Sequence, residues 1–143
     1  MPYQGLDYNL LFHRQHKKSE IRLAKILIAD DDPMVLRLLE IKLGQAGHDV
    51  ITAEDGIKAL DVISGDLPDL VILDGMMPGL DGLEVLQRLK ADDGTKDIPV
   101  IMLTARTQEE DVEEGISSGA ADYVTKPVKS EELIACIERL ISA

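Results

Sequence analysis

Short runs rich in apolar and β-branched residues alternate along most of this chain with longer segments in which apolar residues recur every three or four positions. The runs cover residues 25–29, 49–53, 70–73, 100–103 and 122–125. Such a run is typical of a strand, and a period near 3.6 is typical of a helix that buries one face. Strands that alternate with helices predict βαβ units on a parallel sheet.

Candidate helix N-caps support this interpretation. A short polar residue precedes four of the five helical segments, where its side chain can accept a hydrogen bond from the first turn. These residues are Asp32, Asp81, Thr107 and Ser130, and the second helix is expected to run from about Asp55 to Ile63. Pro33 fits the first position of the first helix, and Glu110, three residues after Thr107, predicts a capping box. The predicted inward faces include Leu38 of the first helix and Ile57 of the second.

Five strands and five helices predict a three-layer α/β/α domain around a five-stranded parallel sheet. We expect the flavodoxin-like strand order 2-1-3-4-5, because strands one and three, which both lead into acids, are then central. The domain is predicted to cover residues 25–143. Residues 1–24 do not fit the alternation and form an N-terminal extension that contains Tyr3, Tyr8 and Phe12. This extension is either a docking segment or a loose tail, and the tail is favoured because chain termini are often poorly ordered.

The charge and the cysteine count exclude several functions. The net charge is −12, and residues 26–143 alone carry 10 basic and 25 acidic side chains, so direct nucleic-acid binding is not expected. No apolar run can span a membrane and no secretory signal is present, which predicts a cytoplasmic protein without membrane contact. Cys136 is the only cysteine, which excludes an intrachain disulfide. The thiol is predicted to be buried, and His48, in a turn, is predicted to lie at the surface.

Polar side chains fall at or just after the ends of four predicted strands. They are Asp30, Asp31, Asp74, Thr104 and Lys126. The carboxyl ends of parallel strands lie at one edge of the sheet, where ligands bind, so residues a hundred positions apart converge. Carboxylates gathered there repel one another unless a cation lies among them. Mg²⁺ prefers such oxygen ligands, whereas zinc is not expected without a Cys/His cluster.

Asp74 is the best candidate for a nucleophile, because it ends a central strand and precedes a Gly/Met/Pro loop. A carboxylate can attack a phosphoryl donor and form an acyl phosphate. Positioning and charge neutralisation do most of the work in such a transfer. Lys126 supplies the counter-charge, and the hydroxyl of Thr104 and the backbone N–H of Ala105 are candidate donors to the phosphoryl oxygens.

Five linked motifs at these positions resemble the receiver domain of bacterial two-component response regulators. They are Ile26-Leu27-Ile28-Ala29-Asp30-Asp31-Asp32-Pro33, Leu73-Asp74, Met77-Pro78 with Asp81-Gly82, Leu103-Thr104-Ala105, and Tyr123-Val124-Thr125-Lys126-Pro127. The resemblance covers about residues 25–141, with the order and spacing intact. One acidic pair alone would be a weak signal, but five ordered motifs are specific.

The resemblance implies roles for the acids. Asp74 would accept a phosphoryl group from a phosphohistidine of a sensor histidine kinase or of a phosphotransfer protein. Asp31 and Asp74 would bind Mg²⁺ directly, together with the backbone carbonyl of Met76. Asp30 would assist from behind them or through a water.

The resemblance also implies how the signal would be read. Lys126, Thr104 and Ala105 would contact the phosphoryl oxygens. Thr104 would turn toward the phosphoryl group and Tyr123 would swing inward behind it. This movement would reshape the face made by the fourth predicted helix, strand five and the last helix, where an output partner, or a second copy after phosphorylation, would bind. The bond between Lys126 and Pro127 is expected to be cis.

Two other functions remain as alternatives. The first is a hydrolase or phosphotransferase with an Asp nucleophile. Such enzymes typically place a second acid two residues after the nucleophile, but this chain has Met76 there, which argues against this function. A degenerate receiver would act as a constitutive interaction module, although all five site residues are present here. We therefore expect a phosphorylation-regulated switch that catalyses only its own phosphorylation and dephosphorylation, rather than a turnover enzyme.

Overall fold

Five parallel strands form one sheet in the computed structural model, which describes residues 23–105 and 118–142. The strands are β1 (Lys25–Ala29), β2 (Asp49–Ala53), β3 (Leu70–Asp74), β4 (Val100–Ala105) and β5 (Asp122–Lys126). Their order in the sheet is β2-β1-β3-β4-β5, and every neighbouring pair is parallel. The predicted fold class and strand order are therefore confirmed.

Within the described residues, four helices cover the two faces of this sheet. They are α1 (Pro33–Gln45), α2 (Gly56–Gly65), α3 (Gly82–Ala91) and α4 (Ser130–Ser142). The helix predicted to begin near Thr107 lies outside the described residues, so α4 is the helix that follows β5. No helix in the described ranges is long and apolar enough to cross a membrane.

Aspartate N-caps, predicted at Asp32 and Asp81, explain where three of these helices begin. Asp32 accepts a hydrogen bond from the backbone N–H of Met34, and Asp55 accepts one from Lys58. Asp81 forms a complete capping box with Glu84. Ser130, by contrast, is the first residue of α4, and the backbone N–H of Leu133 donates to the carbonyl of Lys129. The predicted cap at Ser130 was thus one residue too late.

Two apolar cores form because neighbouring strand residues point to opposite faces of the sheet. Ile26 and Ile28 of β1 pack with α1 and α4 in one core. Leu27 and Ala29 pack with α2 and α3 in the other. β3 is buried along its whole length and β1 is buried from Ile26 to Ala29, which agrees with the continuous apolar sequence of these stretches.

Two predicted inward residues are wrong. Leu38 and Ile57 are 51% and 56% exposed, and Leu36 and Ala59 are buried instead on the same helices. The reason is that α1 carries apolar residues on more than one side. Periodicity alone then does not determine which stripe packs against the sheet.

The prediction for His48 is wrong as well. This residue is buried, although its turn led us to expect a surface position. Its Nδ1 accepts a hydrogen bond of 3.3 Å from the backbone N–H of Ala24. Burial lowers the pKa of this imidazole, which favours the neutral form that can accept the bond. The predicted burial of Cys136 is confirmed, and burial raises the pKa of its thiol to about 11.

Candidate functional site

Three of the predicted site residues meet at the carboxyl edge of the sheet. Asp30 directly follows β1, while Asp74 and Lys126 are the last residues of β3 and β5. The Nζ of Lys126 lies 3.0 Å from Oδ1 of Asp74 and 3.2 Å from Oδ2 of Asp30. The long lysine side chain thus reaches past β4 to the two central strands.

The acids differ sharply in exposure. Asp30 is fully buried and Asp74 is 5% exposed, whereas Asp31 is exposed. One carboxylate oxygen from each of the three lies within 4.8 Å of the others. The structure therefore brings together the acids that the sequence predicted, with two held rigidly inside and one facing solvent.

Asp30 offers a test of whether a cation fits this cluster. Its Oδ1 accepts a hydrogen bond of 2.9 Å from the backbone N–H of Asp32. Its Oδ2 is buried, and no donor within the described residues is directed at it with hydrogen-bond geometry, although the Lys126 ammonium is nearby. A buried carboxylate oxygen with spare acceptor capacity, beside two further carboxylates, is a donor set that suits Mg²⁺.

The protonation of the two paired groups follows from their surroundings. Burial raises the pKa of Asp74 to about 6, and the nearby charge of Asp30 adds to this, whereas Lys126 acts in the opposite direction. Burial by itself would lower the pKa of Lys126, but the carboxylates of Asp74 and Asp30 outweigh it, and that pKa is raised. Lys126 therefore stays cationic at neutral pH, while Asp74 is ionised but close to its titration range.

The backbone next to Asp74 is held by the start of α3. A Cβ at Gly82 would lie 2.2 Å from the carbonyl oxygen of Asp74, a distance that no side chain tolerates. The backbone N–H of Gly82 donates to the carbonyl of Gly75 at 3.2 Å. Glycine at this position thus lets the helix approach β3 closely and fix the position of Asp74.

A second glycine holds the other end of the same loop. A Cβ at Gly56, the first residue of α2, would lie 2.2 Å from the carbonyl oxygen of Leu80. Sequence reasoning assigned neither Gly56 nor Gly82 a role. The available signal was the repeated pair of an N-cap aspartate followed by glycine, Asp55-Gly56 and Asp81-Gly82, at two helices that flank one loop.

Met76 lies on the solvent side of this loop. Its backbone N–H is 3.4 Å from Oδ1 of Asp74, and its side chain is 77% exposed. The preceding residue, Gly75, donates its backbone N–H to the carbonyl of Leu103 at 2.9 Å. This bond extends the pairing of β3 and β4 past Asp74, so the start of the loop is tied to the sheet.

The remaining predicted residues lie around the carboxylates without joining their ion pairs. Thr104 follows Leu103, the register partner of Asp74, and its hydroxyl donates to the carbonyl of Ala105 at 3.3 Å. Ala105 itself is exposed and lies opposite Lys126 in the register. Tyr123 is 37% exposed, which leaves the expected inward movement as a prediction. The peptide bond between Lys126 and Pro127 is cis, as expected.

Comparison with known sequences identifies the domain. The family model described as the response regulator receiver domain matches residues 26–138. The DNA-binding dual master transcriptional regulator RpaA of Synechocystis is 48% identical over 119 residues, which are 83% of this chain and 49% of that protein. Response regulator PleD of Caulobacter vibrioides is 44% identical over 82% of this chain and 26% of its own length. The chain thus spans about half or less of these relatives.

Solved structures agree with the sequence comparison. The receiver domain of the Francisella response regulator 1452 matches with a TM-score of 0.76 and 38% identity, over 82% of this chain and 95% of that chain. Chemotaxis response regulator CheY4 of Vibrio cholerae matches with a TM-score of 0.78 and 32% identity, over 82% and 98%. The chain belongs to the response regulator receiver domain family of two-component signalling systems.

Proposed function

We propose that this receiver domain accepts a phosphoryl group on Asp74 from a phosphohistidine of a histidine kinase or phosphotransfer protein. The observation that carries the proposal is the ion pair of Lys126 with Asp74 and Asp30, beside the exposed Asp31. Such a transfer needs a nearly buried carboxylate, a fixed ammonium group and a second acid, which here is exposed.

In the proposed transfer, a carboxylate oxygen of Asp74 forms a bond to phosphorus and the bond from phosphorus to the donor histidine breaks. The electron pair of that bond leaves with the imidazole, and the product is an acyl phosphate. Lys126 neutralises charge on the phosphoryl oxygens, and Thr104 and the backbone N–H of Ala105 donate to the other side. Attack by water on the phosphorus later breaks the bond between phosphorus and the Asp74 oxygen, which restores the carboxylate and releases inorganic phosphate.

The acids of the site would hold Mg²⁺. Asp31 and Asp74 supply carboxylate oxygens, Met76 supplies its backbone carbonyl, and Asp30 assists from behind or through a water. The ion supplies charge neutralisation on the transferring group when it is bound. The domain would then act only on itself, as a switch and not as a turnover enzyme.

The signal would leave through a face away from the acids. Thr104 and Tyr123 are the proposed switch residues, and they lie on β4 and β5. Reorientation of Thr104 and inward movement of Tyr123 would change the face formed by β5, α4 and the segment before β5. We propose that an output partner, or a second copy of the phosphorylated domain, binds there. The proposed domain covers residues 25–143, in a cytoplasmic protein whose residues 1–24 form an extension.

The first test is phosphorylation of the full chain by acetyl phosphate in the presence of Mg²⁺, followed by intact mass. One phosphoryl adduct is expected, and it should disappear in Asp74→Ala and when the metal is chelated. Asp49→Asn is the matched control, because Asp49 is an exposed aspartate at the amino end of β2 and should leave the adduct unchanged.

The alternative function makes a different prediction in the same experiment. A degenerate receiver would give no adduct, and beryllofluoride, which mimics a bound phosphoryl group, would leave its NMR spectrum unchanged. That pair of results would overturn the proposal and leave a constitutive interaction module.

A further inference from the structure

A groove of about 290 Å³ opens at the amino ends of the strands, on the edge of the sheet opposite Asp74. It is lined by Leu23, Ala24, Asp69, Pro99, Leu140 and Ile141. The first four of these residues lie just before β1, β3 and β4, and the last two lie in the final turn of α4. The groove therefore runs between the sheet and the end of the last helix.

The chain enters the domain at the rim of this groove in a fixed position. The backbone of Ala24 donates to Nδ1 of His48 at 3.3 Å and accepts from the N–H of Asp49 at 2.9 Å. Leu23 lies so close to the turn after α1 that its Cδ2 would be 2.9 Å from a Cβ at Gly47. The buried imidazole of His48 thus fixes the position at which residues 1–22 join the domain.

We propose that the chain's own N-terminal segment occupies this groove, with the apolar run Leu10-Leu11-Phe12 against Leu140 and Ile141. This proposal replaces the expectation of a loose tail. It goes beyond the phosphoryl chemistry and does not depend on it, because the groove and Asp74 lie at opposite edges of the sheet.

The first support is proximity. Only residues 13–22 separate Phe12 from Leu23, which lines the groove and is 73% exposed. Ten residues span at most about 35 Å when fully extended, so Phe12 can reach any part of the groove. A short tether also gives an effective concentration on the order of millimolar, so weak apolar contacts suffice for occupancy.

The second support is composition. Residues 1–22 hold an apolar run and three of the four aromatic residues of the chain. Leu140, Ile141 and Pro99 line the groove with apolar surface, and Leu23 adds an exposed side chain at its rim. Because the segment is tethered, contact of one leucine or phenylalanine side chain with this surface is enough to favour occupancy.

Charge favours this occupant over a second copy. Residues 1–22 contain four basic and two acidic side chains, whereas residues 23–143 contain 11 basic and 25 acidic ones. The groove contributes one ionisable side chain, the acid Asp69, to this field. A basic segment is attracted to such a body, while two acidic bodies repel each other.

The test uses the full chain with methyl-labelled Leu and Ile and one spin label. Cys136→Ala removes the native thiol, and Tyr8→Cys carries the label two residues before the apolar run. We expect the label to broaden the methyl signals of Leu140 and Ile141, while the exposed methyl groups of Ile57, at the other edge of the sheet, stay sharp. Uniform broadening, or none at the groove, would overturn the proposal.

Two further samples keep the result specific. Phe12→Asp in the labelled chain should abolish the broadening at Ile141, and Leu6→Asp, outside the apolar run, should preserve it. A mixture of methyl-labelled chains without the spin label and unlabelled chains with it should show no broadening at the groove. Broadening in that mixture would assign the groove to a second copy and overturn the proposal, as would broadening that survives Phe12→Asp.

Discussion

At the scale of single residues, the candidate site is a balance of three charges. Lys126 lies within 3.2 Å of one carboxylate oxygen on each of Asp30 and Asp74, and neither acid has appreciable exposure. Each carboxylate alone would be costly to bury, and together they repel. The ammonium group therefore stabilises the fold by neutralising two buried carboxylates, apart from its proposed role toward a phosphoryl group.

Removal of this ammonium should destabilise the domain in a pH-dependent way. Lys126→Met keeps the length of the side chain but leaves two buried carboxylates without their counter-charge. Without Mg²⁺ at pH 8, we expect the free energy of unfolding to fall by about 1–3 kcal/mol, less than for a fully buried pair because the lysine is partly exposed. Urea denaturation at pH 8 and pH 5 measures this loss. It should shrink at pH 5, where Asp74 takes up a proton, and an equal loss at both pH values would contradict the explanation.

Asp74 itself should weaken the metal-free fold when it is ionised. Its pKa is about 6 in the folded protein, above the ordinary value near 3.9 of an unfolded chain. The stability that its protonated form contributes is fully present below pH 4 and is lost as the pH rises through 6. Asp74→Asn removes this dependence, so without Mg²⁺ the variant should exceed the parent in unfolding free energy by on the order of 2 kcal/mol at pH 8.

The control for this comparison is the same pair of proteins at pH 4. Their stabilities should nearly converge there, because the parent carboxyl is then protonated in the folded state and about half protonated in the unfolded chain. A constant difference between pH 4 and pH 8 would show that the substitution acts through packing and not through charge.

At the scale of elements, helix starts position the loop that follows Asp74. Gly82 begins α3 directly against the carbonyl of Asp74, and Gly56 begins α2 against the carbonyl of Leu80. Both ends of the loop at residues 75–81 are therefore held close to a helix, because the first residue of each helix has no side chain. The position of the Asp74 carboxylate therefore depends on this backbone arrangement as well as on its charge partners.

Gly82→Ala tests that dependence. The new Cβ would overlap the backbone of Asp74, so α3 or β3 must shift, and we expect a loss of about 1–3 kcal/mol in the free energy of unfolding. Phosphorylation by acetyl phosphate should also slow, because Asp74 moves with its backbone. Urea denaturation and intact mass report the two effects.

Gly44→Ala is the matched control, since a Cβ at this helical position meets nothing within 4 Å. Its expected effect is a gain of roughly 0.5–1 kcal/mol from helix propensity, with phosphorylation unchanged. Equal behaviour of the two variants would show that the close approach at Gly82 has no consequence for the site.

The elements also show what the sequence can and cannot predict. Strand positions and the caps at Asp32 and Asp81 depend on local signals, and these predictions are confirmed. The inward faces of α1 and α2 depend on tertiary packing. They cannot be predicted from periodicity when apolar residues lie on several sides of one helix. The burial of His48 is a tertiary effect as well, because its partner, the backbone of Ala24, is 24 positions away.

At the scale of the whole molecule, one sheet joins two separate apolar cores. The strand order was predictable because acids follow strands one and three, which places both at the centre. Each central strand sends alternate side chains into both cores. Loss of packing on one face of the sheet should therefore destabilise the core on the other face, because the two cores share strands.

This coupling predicts one cooperative unfolding transition. Leu39→Ala of α1 and Leu86→Ala of α3 each remove a fully buried side chain, one from each core. Each should lower the free energy of unfolding by about 2–5 kcal/mol and shift a single transition. Circular dichroism and NMR signals from the two cores, followed in urea, should give coincident curves for both variants. Separate transitions for the two faces would contradict the coupling.

The positions of Leu23 and Ser142, the first and last described residues, determine where other sequences can be joined to the domain. Leu23 and the final turn of α4 line the same groove, at the edge of the sheet farthest from the acids. Any polypeptide fused to either side of the domain would therefore leave from the back of the molecule. The opposite edge of the sheet, where Asp31 faces solvent, would then stay uncovered, so sequence joined at either end need not contact the acids.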